Sequence, residues 1–355
     1  MNLRPFWLAM GLLPCWLAAQ TPTAIEAVEY DPLGDRWLVS NGSSLLATDG
    51  PGGAYTYLGS AQASHGMEAV DGMLVAIGNN VIRAYELTDG TLLGSLVIPG
   101  ATFLNGMGSM PGGVVVSDFG NGRIHRIDVS NPGAMVATLL ATLPGSPNGV
   151  VVEPAAGRAV VVSWGSNADI FGVDLETGAV TTLVDGTGLG NLDGIDIDLE
   201  GNFYVSSWSP ARITRFSNDF NLQETVVSSG LASPADISYA LALDTLGVAN
   251  SGNDVVTWHG FAPETNAIGT APTPGPTTVR WTGNALTLEG PMPGTWTFRA
   301  YALDGRCVAT TEWSLPAGTV CMDRGHLMLP AAQPTWGWVG WVQAPDGSVH
   351  RSLLQ

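Results

Sequence analysis

The sequence predicts an all-β protein, a six-bladed β-propeller followed by a small C-terminal β-sandwich, and three observations lead there. A unit of polar anchor, short strand, turn, second strand, Gly/Asn/Ser turn and third strand recurs six times. Its anchors are Glu26, His65, Asn105, Asn148, Asp193 and Asp236, spaced 39, 40, 43, 45 and 43 residues apart. That spacing matches the length of a four-stranded propeller blade, whereas a β-solenoid needs shorter coils and a jelly roll does not repeat. Glycine is abundant at 46 residues, only 12% of the chain is charged, and long amphipathic stretches of period 3.6 are missing, so tight turns and strands are favoured over helices. After Phe261 the repeat gives way to "APETNAIGTAPTPGPTT", and beyond it strands alternate around Asp304-Gly305 and Asp346-Gly347 turns.

Taken in order, the amino terminus reads as an export signal over residues 1–19. Asn2 and Arg4 form a short n-region, Phe6 to Leu17 an apolar core, and Ala18-Ala19-Gln20 a cleavage zone. The apolar core is too short for a membrane span, and no later stretch reaches about 18 uninterrupted apolar residues. Cys15 lies before the cut between Pro14 and Trp16, a poor context for lipid attachment. Cleavage leaves Cys307 and Cys321, which form a disulfide in an oxidising compartment or remain two reduced core thiols. The propeller is expected over 20–262, a Pro/Thr-rich linker over 263–277 and the sandwich over 278–355.

The net charge is −18, and none of the cationic side chains is lysine; 13 arginines supply them all. Nucleic acid and anionic membranes, which need clustered positive charge, are therefore poor partners. Schiff-base chemistry and a P-loop are excluded with the lysines. The acidity reads as a solvated surface or, functionally, as a preference for divalent cations.

In a propeller the innermost strands line a central channel, so the six anchors fall on one polar ring. Three carboxylates crowded there raise one another's pKa unless a cation sits between them, and calcium suits a mixed Asp/Glu/Asn set better than zinc. The alternative is that the anchors cap turns or hold channel water. His65 and Asp236 are candidate general base or substrate ligands, or water-mediated lining. Trp164 and Trp208, after the second strands of neighbouring blades, form an apolar wall beside the site or pack blade to blade. Asp196 to Gly201 imitates half an EF-hand loop, but Ser207 stands where a bidentate glutamate belongs, and a hairpin turn accounts for it. No G-x-S-x-G, H-E-x-x-H or C-x-x-C is present. Asn41-Gly42-Ser43 fits a glycosylation sequon.

The ordered motifs "EAVEYDP" at Glu26 to Pro32, "NG" at Asn105, "PNG" at Pro147 to Gly149 and "DG" at Asp193, followed by "EGNFYV", resemble the gluconolactonase/regucalcin-like family of six-bladed propellers over residues 24 to 261, with NHL-repeat propellers as near neighbours. The resemblance implies one divalent ion, usually calcium, held by Glu26, Asn148 and Asp193, with Asn105 near substrate or water and Asp193 helping to activate the attacking water on a lactone. Two departures bear on substrate. Phe103 stands where sugar-lactone members carry an arginine, and Gly106 where an aspartate commonly follows the channel asparagine.

The tail, "TWTFRAYALDGRCV" with a final "GWVQAPDGSVHRSLL", resembles the C-terminal sorting domain of the type IX secretion system of Bacteroidetes, though without the usual lysine-rich last strand. It implies secretion machinery as a partner and a secreted or cell-surface location. An ordinary accessory sandwich, with Trp336, Trp338 and Trp341 as carbohydrate contacts or core, is the alternative. Two functions follow: an exported, divalent-metal-dependent hydrolase of a lactone or related small ester, or a non-catalytic NHL-like propeller binding a ligand or protein through its channel face.

Overall fold

The computed structural model describes residues 19–261 and, beyond them, the strands Thr278–Thr282, Ala285–Glu289, Gly294–Ala302, Cys307–Leu315, Val320–Asp323, Trp338–Gln343 and Val349–Leu354. Residues 1–18 of the export signal, the linker and Trp336 lie outside the described residues, as do the side chains of Cys307, Cys321, Trp338 and Trp341. Among the described residues, no helix is long and apolar enough to cross a membrane.

Six antiparallel sheets follow one another along the chain, each repeat folding into one blade. Their innermost strands are Val28–Asp31, Met67–Val70, Leu104–Met110, Ser146–Glu153, Gly190–Ile197 and Pro234–Ala240. Each blade is packed between two others, so its middle strands are covered on both faces and read as unbroken apolar runs, such as Val114–Val116 and Val160–Val162. The core is correspondingly shared between blades. Val75, Ile77 and Ile82 of the second blade pack with Leu104, Val114 and Val116 of the third, and Val160, Val162 and Ile170 of the fourth with Leu192, Phe203 and Val205 of the fifth. Each such side chain contributes about 1.5–3 kcal/mol through burial.

The first five blades carry the fourth, outer strand that the repeat length calls for but the residue pattern does not mark: Thr56–Tyr57, Leu92–Leu96, Val136–Thr142, Val180–Val184 and Gln223–Val227. These strands are largely exposed, so no strong apolar alternation marks them. The sixth blade has three strands, and Gln20 pairs with Tyr55 of the first blade instead of extending the sixth. Closure therefore rests on contacts between the first and sixth blades, at their inner strands and beyond. Asp236 N–H donates to the Glu26 carbonyl at 3.0 Å, Tyr30 N–H to Ser238 Oγ at 3.1 Å, and Ile25 N–H to Asp254 Oδ1 at 3.2 Å. Trp37, 2% exposed, seals the seam so tightly that a Cβ on Gly247 would lie 2.4 Å from its ring.

The EF-hand mimic is a turn: Asp198 accepts the N–H groups of Glu200 and Asn202 at 2.9 and 2.8 Å. The Asn41 amide of the sequon is engaged locally, accepting Thr23 N–H at 2.8 Å and donating to Ser44 Oγ at 3.0 Å. In the C-terminal region the described strands form a three-stranded and a four-stranded antiparallel sheet, with Leu288, Trp296, Phe298 and Val342 buried. Their packing into a sandwich stays a sequence-based expectation.

Candidate functional site

Asn105, Asn148, Asp193 and Asp236 all lie on innermost strands, while Glu26 and His65 stand just before theirs. What aims the four strand residues is a repeated irregularity. In each of these strands one extra residue is inserted against its partner: between Leu104 and Met107, Pro147 and Val150, Leu192 and Ile195, and Pro234 and Ile237. A bulge of this kind turns the inserted side chain away from the sheet and into the channel. The glycine that follows three of the four anchors has a separate reason. A Cβ on Gly106 would lie 2.2 Å from the Asn148 carbonyl oxygen, and one on Gly149 2.3 Å from that of Asp193. Gly194 abuts Ala235 to Ile237 in the same way. Each anchor's glycine thus lets the next blade's anchor come close.

Serines on the second strands tie this arrangement together. Ser117 Oγ accepts Gly106 N–H at 2.8 Å and donates to the Asn148 carbonyl at 2.6 Å; Ser206 Oγ accepts Gly194 N–H and donates to the Ala235 carbonyl, both at 2.7 Å. Ser40 Oγ accepts the N–H groups of Glu26 and Ala27.

The electrostatics at this mouth are those of crowded, buried acids. Burial pushes Glu26 up to about 7. Burial, then the charges of Asp196 and Glu26, push Asp236 up to about 8. Asp193, 4% exposed, is raised well above the usual carboxylate range by burial and then by Glu26 and Asp236. Asn148 and the indole of Trp208 favour its ionised form only partly, and Trp208 Nε1 is buried close by without hydrogen-bond geometry to any acceptor. Burial lowers His65, whose Nδ1 lies 2.9 Å from Ser64 Oγ, so its ring is neutral at pH 7. Asn148 donates its Nδ2 to the Leu192 carbonyl at 3.2 Å, and its Oδ1 is the atom that can offer a lone pair to a cation.

The donors fit a hard cation: two carboxylates and an amide oxygen, without nitrogen or sulfur. Among the described residues, no group of three His, Cys, Asp or Glu side chains is arranged to hold a metal. A site built on Glu26 and Asp193 therefore needs the Asn148 amide. The three ion pairs among the described residues are Arg36–Asp31, Arg158–Glu153 and Arg215–Glu224, none of which neutralises the anchors.

The aromatic residues come together as well. His65 meets Phe103 edge to face at 5.0 Å between centroids, and Phe103 meets Phe119 at 5.4 Å. Phe119 meets Trp164 at 6.2 Å, and Trp164 meets Trp208 at 4.9 Å. Phe119 escaped the sequence reading. The available signal was position in the repeat: Phe119, Trp164 and Trp208 stand 14, 16 and 15 residues beyond their blades' anchors.

A second acidic group was also missed. At the opposite mouth a cavity of about 110 Å³ is lined by Glu29, Glu68, Ser109, Asp196 and Ser238, among others. In the fifth blade Asp196 stands three residues past Asp193, a spacing that simple alternation would send to the other face and that the bulge returns to the channel. These acids act as staples between blades: Glu29 Oε1 accepts Ala69 N–H at 3.0 Å, and Asp196 accepts Tyr239 N–H, while also accepting the N–H of its own neighbour Ile197. Burial pushes Glu29 up to about 8 and Asp196 to about 7, and raises Glu68 strongly, with the Glu29 and Asp196 charges adding to it.

The native state therefore binds more protons than the unfolded chain between about pH 4.5 and 8, and stability falls as pH rises through that window. A melting temperature about 5 °C lower at pH 9 than at pH 5 is expected by calorimetry, and Glu29→Gln should flatten that slope. An unchanged slope in the variant would remove Glu29 from the account.

No protein-family model and no curated protein matches the sequence. Solved structures do. A gluconolactonase from Xanthomonas campestris aligns over 68% of this chain and 86% of its own with a TM-score of 0.53 at 17% identity. Hydrazine synthase of Kuenenia stuttgartiensis aligns over 71% of this chain and 99% of its own, with a TM-score of 0.51 at 12% identity. At these identities the likeness is one of fold, and the six-bladed propeller of this chain is built like the propeller of a gluconolactonase.

Proposed function

We propose that the protein is an exported, divalent-metal-dependent hydrolase of a lactone or related small ester, with Glu26, Asn148 and Asp193 holding a calcium-like ion. The observation that supports the reading is the buried Asp193 carboxylate lying beside Glu26 and Asn148, both acids with raised pKa and, among the described residues, no cationic partner. A divalent cation bound there would supply polarisation of the carbonyl oxygen and a lowered pKa for the attacking water. Asp193, whose carboxyl burial holds well above the usual carboxylate range, is the group placed to accept a proton from an attacking water. The water oxygen adds to the carbonyl carbon, the ring C–O bond breaks, and the proton passes to the leaving oxygen, giving a hydroxy acid. Asn105, 8% exposed at the same level, orients the carbonyl or water. Export rests on the amino-terminal signal, and surface attachment on the resemblance of the tail to a sorting domain.

One observation favours the rival reading of a ligand-binding propeller without catalysis: the position of the family's substrate-gripping arginine is Phe103, 38% exposed. Calcium calorimetry on the mature chain, wild type against Asp193→Ala, with a lactone-hydrolysis screen on the same samples, separates them. Binding lost in the variant together with metal-dependent turnover is the expected result. Binding without turnover on any lactone supports the rival, and no binding overturns the metal site.

A further inference from the structure

Five rings run edge to face around one side of the channel mouth, from His65 through Phe103, Phe119 and Trp164 to Trp208, crossing four successive blades. Pure blade packing would bury such rings, yet all five keep part of their surface accessible, and Phe103 is 38% exposed. The arc is held from behind. Phe119 N–H donates to the Phe103 carbonyl at 2.8 Å, and the buried Asp118 carboxylate accepts the N–H groups of Thr102 and Phe103 at 3.2 and 3.0 Å. The Trp208 end lies against Asp193, and Trp164 closes its strand opposite Ser146, two residues before Asn148. The acids Glu26 and Asp236 come from the two blades that contribute no ring. The carboxylates Glu26, Asp236 and Asp193 thus gather at the first, sixth and fifth blades, while Asn105 and Asn148 share the third and fourth with the rings.

A polyhydroxylated sugar lactone needs hydrogen-bonding partners all round its ring, and an apolar wall leaves its hydroxyls unpaired on that side. A flat apolar group gains by burial against the same wall, and an aromatic one gains further from edge-to-face contact. We propose that the arc makes the substrate an aryl-substituted or aryl-fused lactone or ester, with the carbonyl toward Glu26 and Asp193 and the aromatic body against Phe103, Phe119 and Trp164. The inference rests on the hydrolase reading for its chemistry, while the binding of an aromatic ligand stands apart from turnover.

The test uses the mature full chain with calcium. kcat/KM is measured for 3,4-dihydrocoumarin, δ-valerolactone and glucono-δ-lactone, and binding of the hydrolysis-resistant lactam 3,4-dihydro-2-quinolinone is followed by isothermal calorimetry. The variants are Phe103→Ala and Trp164→Leu, with circular dichroism to check folding. The expected result is an aryl-over-aliphatic preference of roughly 30-fold that drops about tenfold in Phe103→Ala, with a parallel loss of lactam affinity. Lactam binding that is lost in Phe103→Ala, with no lactone turned over, upholds the aromatic site and overturns the hydrolase reading. Turnover with no aryl preference, or a preference that neither variant changes, overturns the aromatic site and leaves the hydrolase standing. Neither turnover nor lactam binding overturns both.

Discussion

Asp193→Asn is expected to raise the melting temperature of the protein in EDTA and to abolish its response to calcium. The wild-type side chain is 4% exposed, has no cationic partner among the described residues and sits against the charges of Glu26 and Asp236, so its ionised form works against folding. The amide keeps the shape and removes the charge. With calcium at 100 times its Kd, the wild type gains about 2.7 kcal/mol from mass action, a shift of several degrees, and the variant gains none of it. Turnover on any lactone substrate should fall roughly 100-fold or more with the loss of the charge that stabilises the reacting atoms. Differential scanning calorimetry at pH 7.5 in EDTA and in calcium reads both effects at once. An equal calcium-induced shift in the variant would remove Asp193 from the ligand set.

The second large effect is steric. Gly149→Ala places a methyl group 2.3 Å from the Asp193 carbonyl oxygen and 3.0 Å from Gly194 Cα and Ile195 N. Every one of these atoms is backbone of the next innermost strand, so relief requires the fourth and fifth blades to part. A loss of about 3 kcal/mol, read as a lower urea midpoint, is expected. Gly133→Ala is the matched control: its nearest neighbour would be Asn131 Oδ1 at 3.6 Å, an ordinary contact, and a change within about 0.5 kcal/mol is expected. Equal effects at the two positions would show that lost backbone entropy, common to both substitutions, outweighs contact.

Much of this was legible because the repeat carries it. The anchors at Asn105, Asn148, Asp193 and Asp236 all fall on innermost strands, and Trp164 and Trp208 do meet. What stayed hidden has two causes. Exposed outer strands such as Leu92–Leu96 and Gln223–Val227 pack on one side only and need no strict alternation. Asp196 was hidden by the bulge itself, since one inserted residue reverses the parity on which any strand reading depends. Phe119 needed a comparison between repeats rather than along one, because on its own "SDFGNG" reads as a turn. The meaning of the glycines was likewise invisible within a single blade, for the atom each one avoids belongs to its neighbour.

The bulges also separate the identity of a channel residue from the alignment of the strand that bears it. At Asn105, Asn148, Asp193 and Asp236 the side chain leaves the ladder at a point where the pairing has already slipped by one, and the ladder resumes beyond it unaltered. Such positions behave as interchangeable sockets. A library randomised at these four codons, with the glycines and serines behind them held constant, should yield mostly folded propellers whose mouths differ in charge and donor type. The same scaffold could thereby be retuned from one ligand to another without redesigning a single blade.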